Sequence, residues 1–194
     1  FLVSPKGYSI KLSNFTKKER NKNLDILKYI AKESQKRGLE FQIAIWTQRY
    51  DFDDVPNANF QVLNYPKGLN YARYCRDSLS LILKECTEIT GVTLRVHVEC
   101  GIPEKSYSFW KTYFQAIKKC GRLINLDLHA KGIDEKLIKI ALKNTKNLSI
   151  SPKYISEHMG LPYHQASIRK QEFPPIKKVN NKWTFSEGSR KFLR

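Results

Sequence analysis

Thr93–Pro103, TLRVHVECGIP, alternates between apolar and polar residues. Read as an extended strand, it turns Leu94, Val96 and Val98 to one face and Arg95, His97 and Glu99 to the other. A guanidinium, an imidazole and a carboxylate on one strand face are costly to bury unless they are paired or used. Three other stretches follow the same scheme. Glu40–Gln48 sets Phe41, Ile43 and Ile45 against Gln42, Ala44, Trp46 and Gln48. Leu123–His129 sets Leu126 and Leu128 against Asn125, Asp127 and His129. Leu148–Ser151 sets Leu148 and Ile150 against Ser149, Ser151 and the following Lys153.

Between these stretches the period changes to that of a helix. Thr16 and Glu19 have capping-box spacing and open a first helix, with Leu24, Leu27, Ile30 and Ala31 as its apolar stripe and Gly38 as its stop. The second helix is expected over Tyr71–Glu88, with Tyr71, Cys75, Leu79, Ile82 and Cys86 inward. A third spans Ser106–Cys120 and packs Trp110, Tyr113, Phe114 and Ile117; a fourth spans Asp134–Lys146 with Leu137, Ile138 and Ala141. Gly38, Gly91, Gly121 and Asn147 are read as equivalent left-handed helix ends. A short strand is expected near Tyr8–Leu12, and Gln48–Asn70 reads as a long aromatic-rich connection.

Strands alternating with amphipathic helices indicate parallel βαβ units. An open doubly wound sheet buries both strand faces and would need both to be apolar. One polar face in every strand fits instead a (β/α) barrel of the TIM type, whose inner strand face lines a site. A complete barrel needs ~250 residues, so the four βα units of this 194-residue chain are expected to form an incomplete one. The whole chain is read as one domain, with 152–194 a long loop or tail at the site face. Its start at Phe1 and the strandless FPPIKKVNNKWTFSEGSRKFLR near its end suggest a piece of a longer protein.

Composition changes this picture little. The formal net charge of +17 invites a nucleic-acid reading, but the excess is Lys spread along the helices opposite their apolar stripes, the ordinary solvated face. Nucleic acid is therefore not the expected partner. No uninterrupted apolar run reaches the ~18 residues of a membrane span. Cys75, Cys86, Cys100 and Cys120 lack zinc or redox spacing and are expected to be free, mostly buried thiols.

Barrel chemistry sits at the carboxyl ends of the strands and in the loops after them. The residues there are Trp46, Gln48 and Arg49; His97 and Glu99; Asp127, His129 and Lys131; Lys153, Tyr154, Glu157 and His158. Arg95 and Asn125 lie deeper in their strands, where pairing with neighbours would explain them. Paired carboxylates separated by ~5–9 Å suit glycoside hydrolysis. Alternatively, His97, Glu99, Asp127 and His129 could hold a divalent metal in a barrel hydrolase or isomerase. A third reading is a non-catalytic carbohydrate- or polyanion-binding protein. Aromatic residues near the strand ends, Trp46 and Tyr154 among them, favour sugar, because pyranose faces stack on such rings.

Ser151–Arg169, SPKYISEHMGLPYHQASIR, is dense in polar chemistry. Together with RVHVECGIP, CGRLINLDLHAKGID and the Phe109–Trp110 pair, it resembles a group of bacterial proteins with a glycoside-hydrolase-type barrel, near α-glucuronidase-like enzymes of polysaccharide degradation. The resemblance covers residues 70–175 and implies a barrel, a carbohydrate substrate and further strands beyond Arg194. It assigns no residue a role. The expected catalytic carboxylates are Glu99, with Asp127 or Glu157 as the second. Trp46, Arg95, His97, His129, Lys153, Tyr154, His158 and His164 are expected to bind the sugar. No cofactor or metal is expected in this reading.

Overall fold

In the computed structural model, which describes residues 4–48, 62–64 and 66–151, the four alternating stretches lie side by side. They are β2 (Phe41–Ile45), β4 (Ile89–Leu94), β5 (Asn125–His129) and β6 (Asn147–Ser151). Every neighbouring pair is parallel, in the order β2-β4-β5-β6. Two further short strands, β1 (Lys11–Leu12) and β3 (Val62–Leu63), form a separate antiparallel pair. The Tyr8 hydroxyl ties this end of the chain to the helix that follows β3 by donating to Asp77 at 2.7 Å.

Three crossovers join the parallel strands: α2 (Leu69–Glu85), then α3 (Tyr107–Tyr113) with α4 (Gln115–Lys118), then α5 (Glu135–Leu142). The opening helix, α1 (Lys17–Lys36), starts at the capping box read from Thr16 and Glu19. It rests on β2 and is linked to α2 by Lys28–Glu85 at 2.7 Å. The register shows why the helices gather on one side. Ile43, Val92, Leu126 and Leu148 form one cross-strand row, and Ile45, Leu94, Leu128 and Ile150 form the next. These rows join the core built by Tyr71, Cys75, Leu79, Ile82, Trp110, Phe114, Leu137 and Ala141 of the helices. A bulge between Phe41 and Gln42 absorbs Thr90, so Ile89 shares a face with Val92 and Leu94 despite the odd spacing.

Several expectations are corrected. The strand read over 93–99 is Ile89–Leu94; beyond it the chain turns through a 3₁₀ segment at Val98–Cys100. The turn forms because the His97 ring accepts the Glu99 backbone N–H at 3.0 Å and Gly101 adopts a left-handed φ of 82°. Val98 is thus exposed and does not share the buried face of Val96. Gly91 is not a helix end but a β4 residue: a Cβ there would lie 2.7 Å from the Gln42 side chain. Asn147 opens β6 instead of closing a helix, its N–H bound by the Thr145 hydroxyl. The third helix is interrupted at Phe114, and Ile30 is exposed where the stripe reading had it inward. All four cysteines are free thiols, with Cys75, Cys86 and Cys100 buried. No helix of the described residues is long and apolar enough to cross a membrane.

Arg122 is a structural residue that the pattern did not single out. Its guanidinium donates to the carbonyls of Leu83 and Cys86 at 3.2 Å each, and also to that of Ile89. These carbonyls end α2 and begin β4, so one side chain satisfies the chain reversal between them. Arg122→Ala should cost about 1–3 kcal/mol, read as a lower urea midpoint with unchanged slope. A midpoint equal to that of the unmodified chain would show that water replaces the guanidinium freely.

Candidate functional site

The polar sides of the strands are also in register. Gln42, Gly91, Asn125 and Asn147 make one row; Ala44, Thr93, Asp127 and Ser149 make the next. His129 and Ser151 continue the face at the carboxyl end. Asp127 therefore sits mid-strand rather than at a strand end, as its position in the sequence had suggested. It is buried, and it accepts hydrogen bonds from Ser149 at 3.1 Å and from Ser151 at 2.8 Å to each carboxylate oxygen. Asn125 pairs with the Ser149 hydroxyl at 3.3 Å. Ser149 and Ser151 were legible as polar-face residues, but nothing in their spacing marked them as the partners of Asp127.

At the carboxyl end of the sheet the side chains converge. Trp46 follows β2 and keeps 41% of its surface exposed. The Arg95 guanidinium lies 4.7 Å from its ring centre, within cation–π range. His129 meets the same ring edge-on, with centroids 5.1 Å apart. One aromatic platform is thus braced by two of the residues expected to bind ligand. Gln48 is buried behind it, its N–H donating to Cys100 O at 2.8 Å and its side-chain amide to Ile45 O at 2.9 Å. Tyr71 donates its hydroxyl to Gln48 O.

Glu99 lies in the 3₁₀ turn beside this platform. Its carboxylate meets Lys131 at 2.6 Å, Arg95 at 2.8 Å and the His97 Nε2 at 3.1 Å. The Lys131 hydrogen bond, supported by the charges of Lys131 and Arg95, holds the Glu99 carboxyl below its usual range. Partial burial opposes this and loses. Glu99 is therefore an ionised group at neutral pH and a poor proton donor. The His97 ring is oriented by the same residue: Nδ1 accepts the Glu99 N–H, which assigns the remaining proton to Nε2, facing the carboxylate. Both ring nitrogens are turned toward Glu99. Gly132, in the turn after β5, closes over this loop.

The depressed affinity of Glu99 for protons has a consequence for stability. A carboxyl whose folded-state value lies below its unfolded value stabilises the fold above the unfolded value and loses that contribution as the pH falls through the folded one. Glu99→Gln removes the titration. The unmodified chain should therefore lose thermal stability relative to Glu99→Gln on acidification below the ordinary glutamate range, and the difference between them should be flat from neutral pH down to about pH 6. Parallel melting curves at all pH values would mean that the three contacts do not hold in solution.

Of the expected site residues, the structure brings together Trp46, Arg95, His97, Glu99 and His129, with Asp127 on the adjoining sheet face. Arg49, Lys153, Tyr154, Glu157, His158 and His164 lie outside the described residues. Among the described residues no group of three or more His, Cys, Asp and Glu side chains is arranged to hold a metal ion. Comparisons with protein-family models, with curated proteins and with solved structures gave no match.

Proposed function

We propose that the chain is part of a (β/α)-barrel glycoside hydrolase acting on an oligosaccharide or polysaccharide. The observation that carries this reading is the polar face running in register across four sequentially ordered parallel strands, while the described helices pack on the other face. Sequential order with one-sided helices is the arrangement of a barrel segment; a doubly wound sheet reverses its order and covers both faces. A saccharide offers apolar ring faces and hydroxyls. Trp46 supplies a surface for the first, and Asp127, Asn125, His129 and the β6 serines supply partners for the second.

Within this reading Glu99 serves as the ionised carboxylate that keeps Arg95, His97 and Lys131 in place at the rim. A glycosidase also needs a carboxyl that gives up a proton to the leaving oxygen. Glu99 is unsuited to that step, which leaves Asp127 or Glu157. The metal-dependent alternative is supported less well, because both nitrogens of His97 are directed at Glu99. A non-catalytic sugar-binding protein is the second reading, favoured by the close cationic pairing of Glu99.

The test is a panel of neutral and acidic polysaccharides, scored both for binding and for released reducing ends. Trp46→Ala should weaken binding by about tenfold or more, the loss of one stacking surface. Binding without release would favour the second reading. Absence of both across the panel, or binding indifferent to Trp46→Ala, would remove the carbohydrate assignment.

A further inference from the structure

At the amino-terminal end of the sheet, opposite the polar site, a cleft of about 430 Å³ opens between the carboxyl ends of α4 and α5. Its floor is apolar: Ile117 and Ile124 are buried, while Leu123 and Leu142 are 63% and 55% exposed. The two leucines bring exposed apolar surface to the mouth of one cavity. Lys118, Lys143 and Lys146 rim the cleft, and none of the described residues lining it is acidic. None of the three lysines makes an ion pair with the described residues.

The walls are fixed by bonds that do not depend on a ligand. Arg122 is held by the Leu83, Cys86 and Ile89 carbonyls. Thr145 is held at 3.1 Å from Ile124 O and 3.0 Å from Asn147 O, and the Asn144 amide donates to Ile140 O at 2.8 Å. The cavity is therefore preformed, as small-molecule pockets usually are. The ends of α4 and α5 place at most about half a negative charge each at its mouth. Three lysines outweigh them and leave the cleft electropositive.

We propose that this cleft binds a small amphipathic anion, an aliphatic carboxylate whose chain lies on Leu123 and Leu142 and whose head is met by Lys143 and Lys146. The assignment is independent of the chemistry at the other end of the sheet. A volume of this size accommodates a chain of about ten carbons.

The test is a titration of the isotopically labelled 194-residue chain with decanoate, followed by the methyl and amide signals in NMR. Saturable shifts centred on Leu123, Leu142 and Ile124 are expected. Decanol, with the same chain and no charge, should bind about tenfold more weakly, and so should decanoate to the double variant Lys143→Glu, Lys146→Glu. These two lysines are exposed and make no side-chain ion pair among the described residues, so the variant's unshifted spectrum elsewhere serves as the folding control. Shifts that do not saturate or spread over the surface would overturn the proposal. So would equal binding of decanol, or of decanoate to the double variant.

Discussion

Gly132→Ala should destabilise the chain by about 2–5 kcal/mol, whereas Gly38→Ala should cost only about 1 kcal/mol. Both glycines have a left-handed backbone, with φ of 78° and 70°. An added methyl at Gly38 meets open space, so only the conformational penalty applies. At Gly132 the same methyl would lie 2.6 Å from the His97 Cβ and 3.2 Å from its Cα. That second atom is backbone and cannot rotate away. Relief must come from moving the β5–α5 turn, which carries Lys131, or the His97–Glu99 turn. Either movement separates Lys131 from Glu99, so the stability loss should be accompanied by a changed signal of the Glu99 carboxylate. Urea unfolding of the two variants side by side measures the difference. Equal losses would show that the two turns are not in contact.

The second large effect concerns Asp127. Asparagine has nearly its shape, and serine hydroxyls both donate and accept. Ser149 and Ser151 can therefore turn to serve an amide, and Asp127→Asn should unfold within about 1 kcal/mol of the unmodified chain. What it cannot do is take up or release a proton. If Asp127 is a reacting carboxylate of the proposed glycosidase, turnover should fall by about a thousandfold or more, with saccharide binding nearly unchanged. Glu99→Gln should act differently, since it leaves Arg95 and Lys131 without their shared anion and should weaken binding along with turnover. Near-normal turnover in Asp127→Asn would reduce Asp127 to a structural partner of the β6 serines.

The parallel sheet was legible because each strand carries its apolar side chains on one face, and a period of two then appears directly in the residue types. The same rule misled at Arg95–Glu99. There the alternation runs on past the end of the strand, where Leu94 makes the last pairing, and a turn capped by the His97 ring imitates it. Helix stripes were legible wherever the packing was deep, as in Tyr71, Cys75 and Leu79, and failed at Ile30, which α1 turns away from the core. The pairing of Glu99 with Lys131 links residues 32 positions apart and left no local trace. Arg122 and Gly132 were invisible for a related reason: their roles depend on which turns meet at the sheet ends, and no periodicity encodes that.

The most direct measurement of the central claim is the indole N–H spectrum of the chain during a titration with a saccharide that it binds. The chain has three tryptophans. Trp46 is exposed at the carboxyl end of the polar face, and Trp110 is buried in the helical core at 1%. Binding on the polar face predicts a saturable shift of the Trp46 signal with that of Trp110 unmoved, and the same response in Asp127→Asn. A bound saccharide that leaves the Trp46 signal in place would contradict the account.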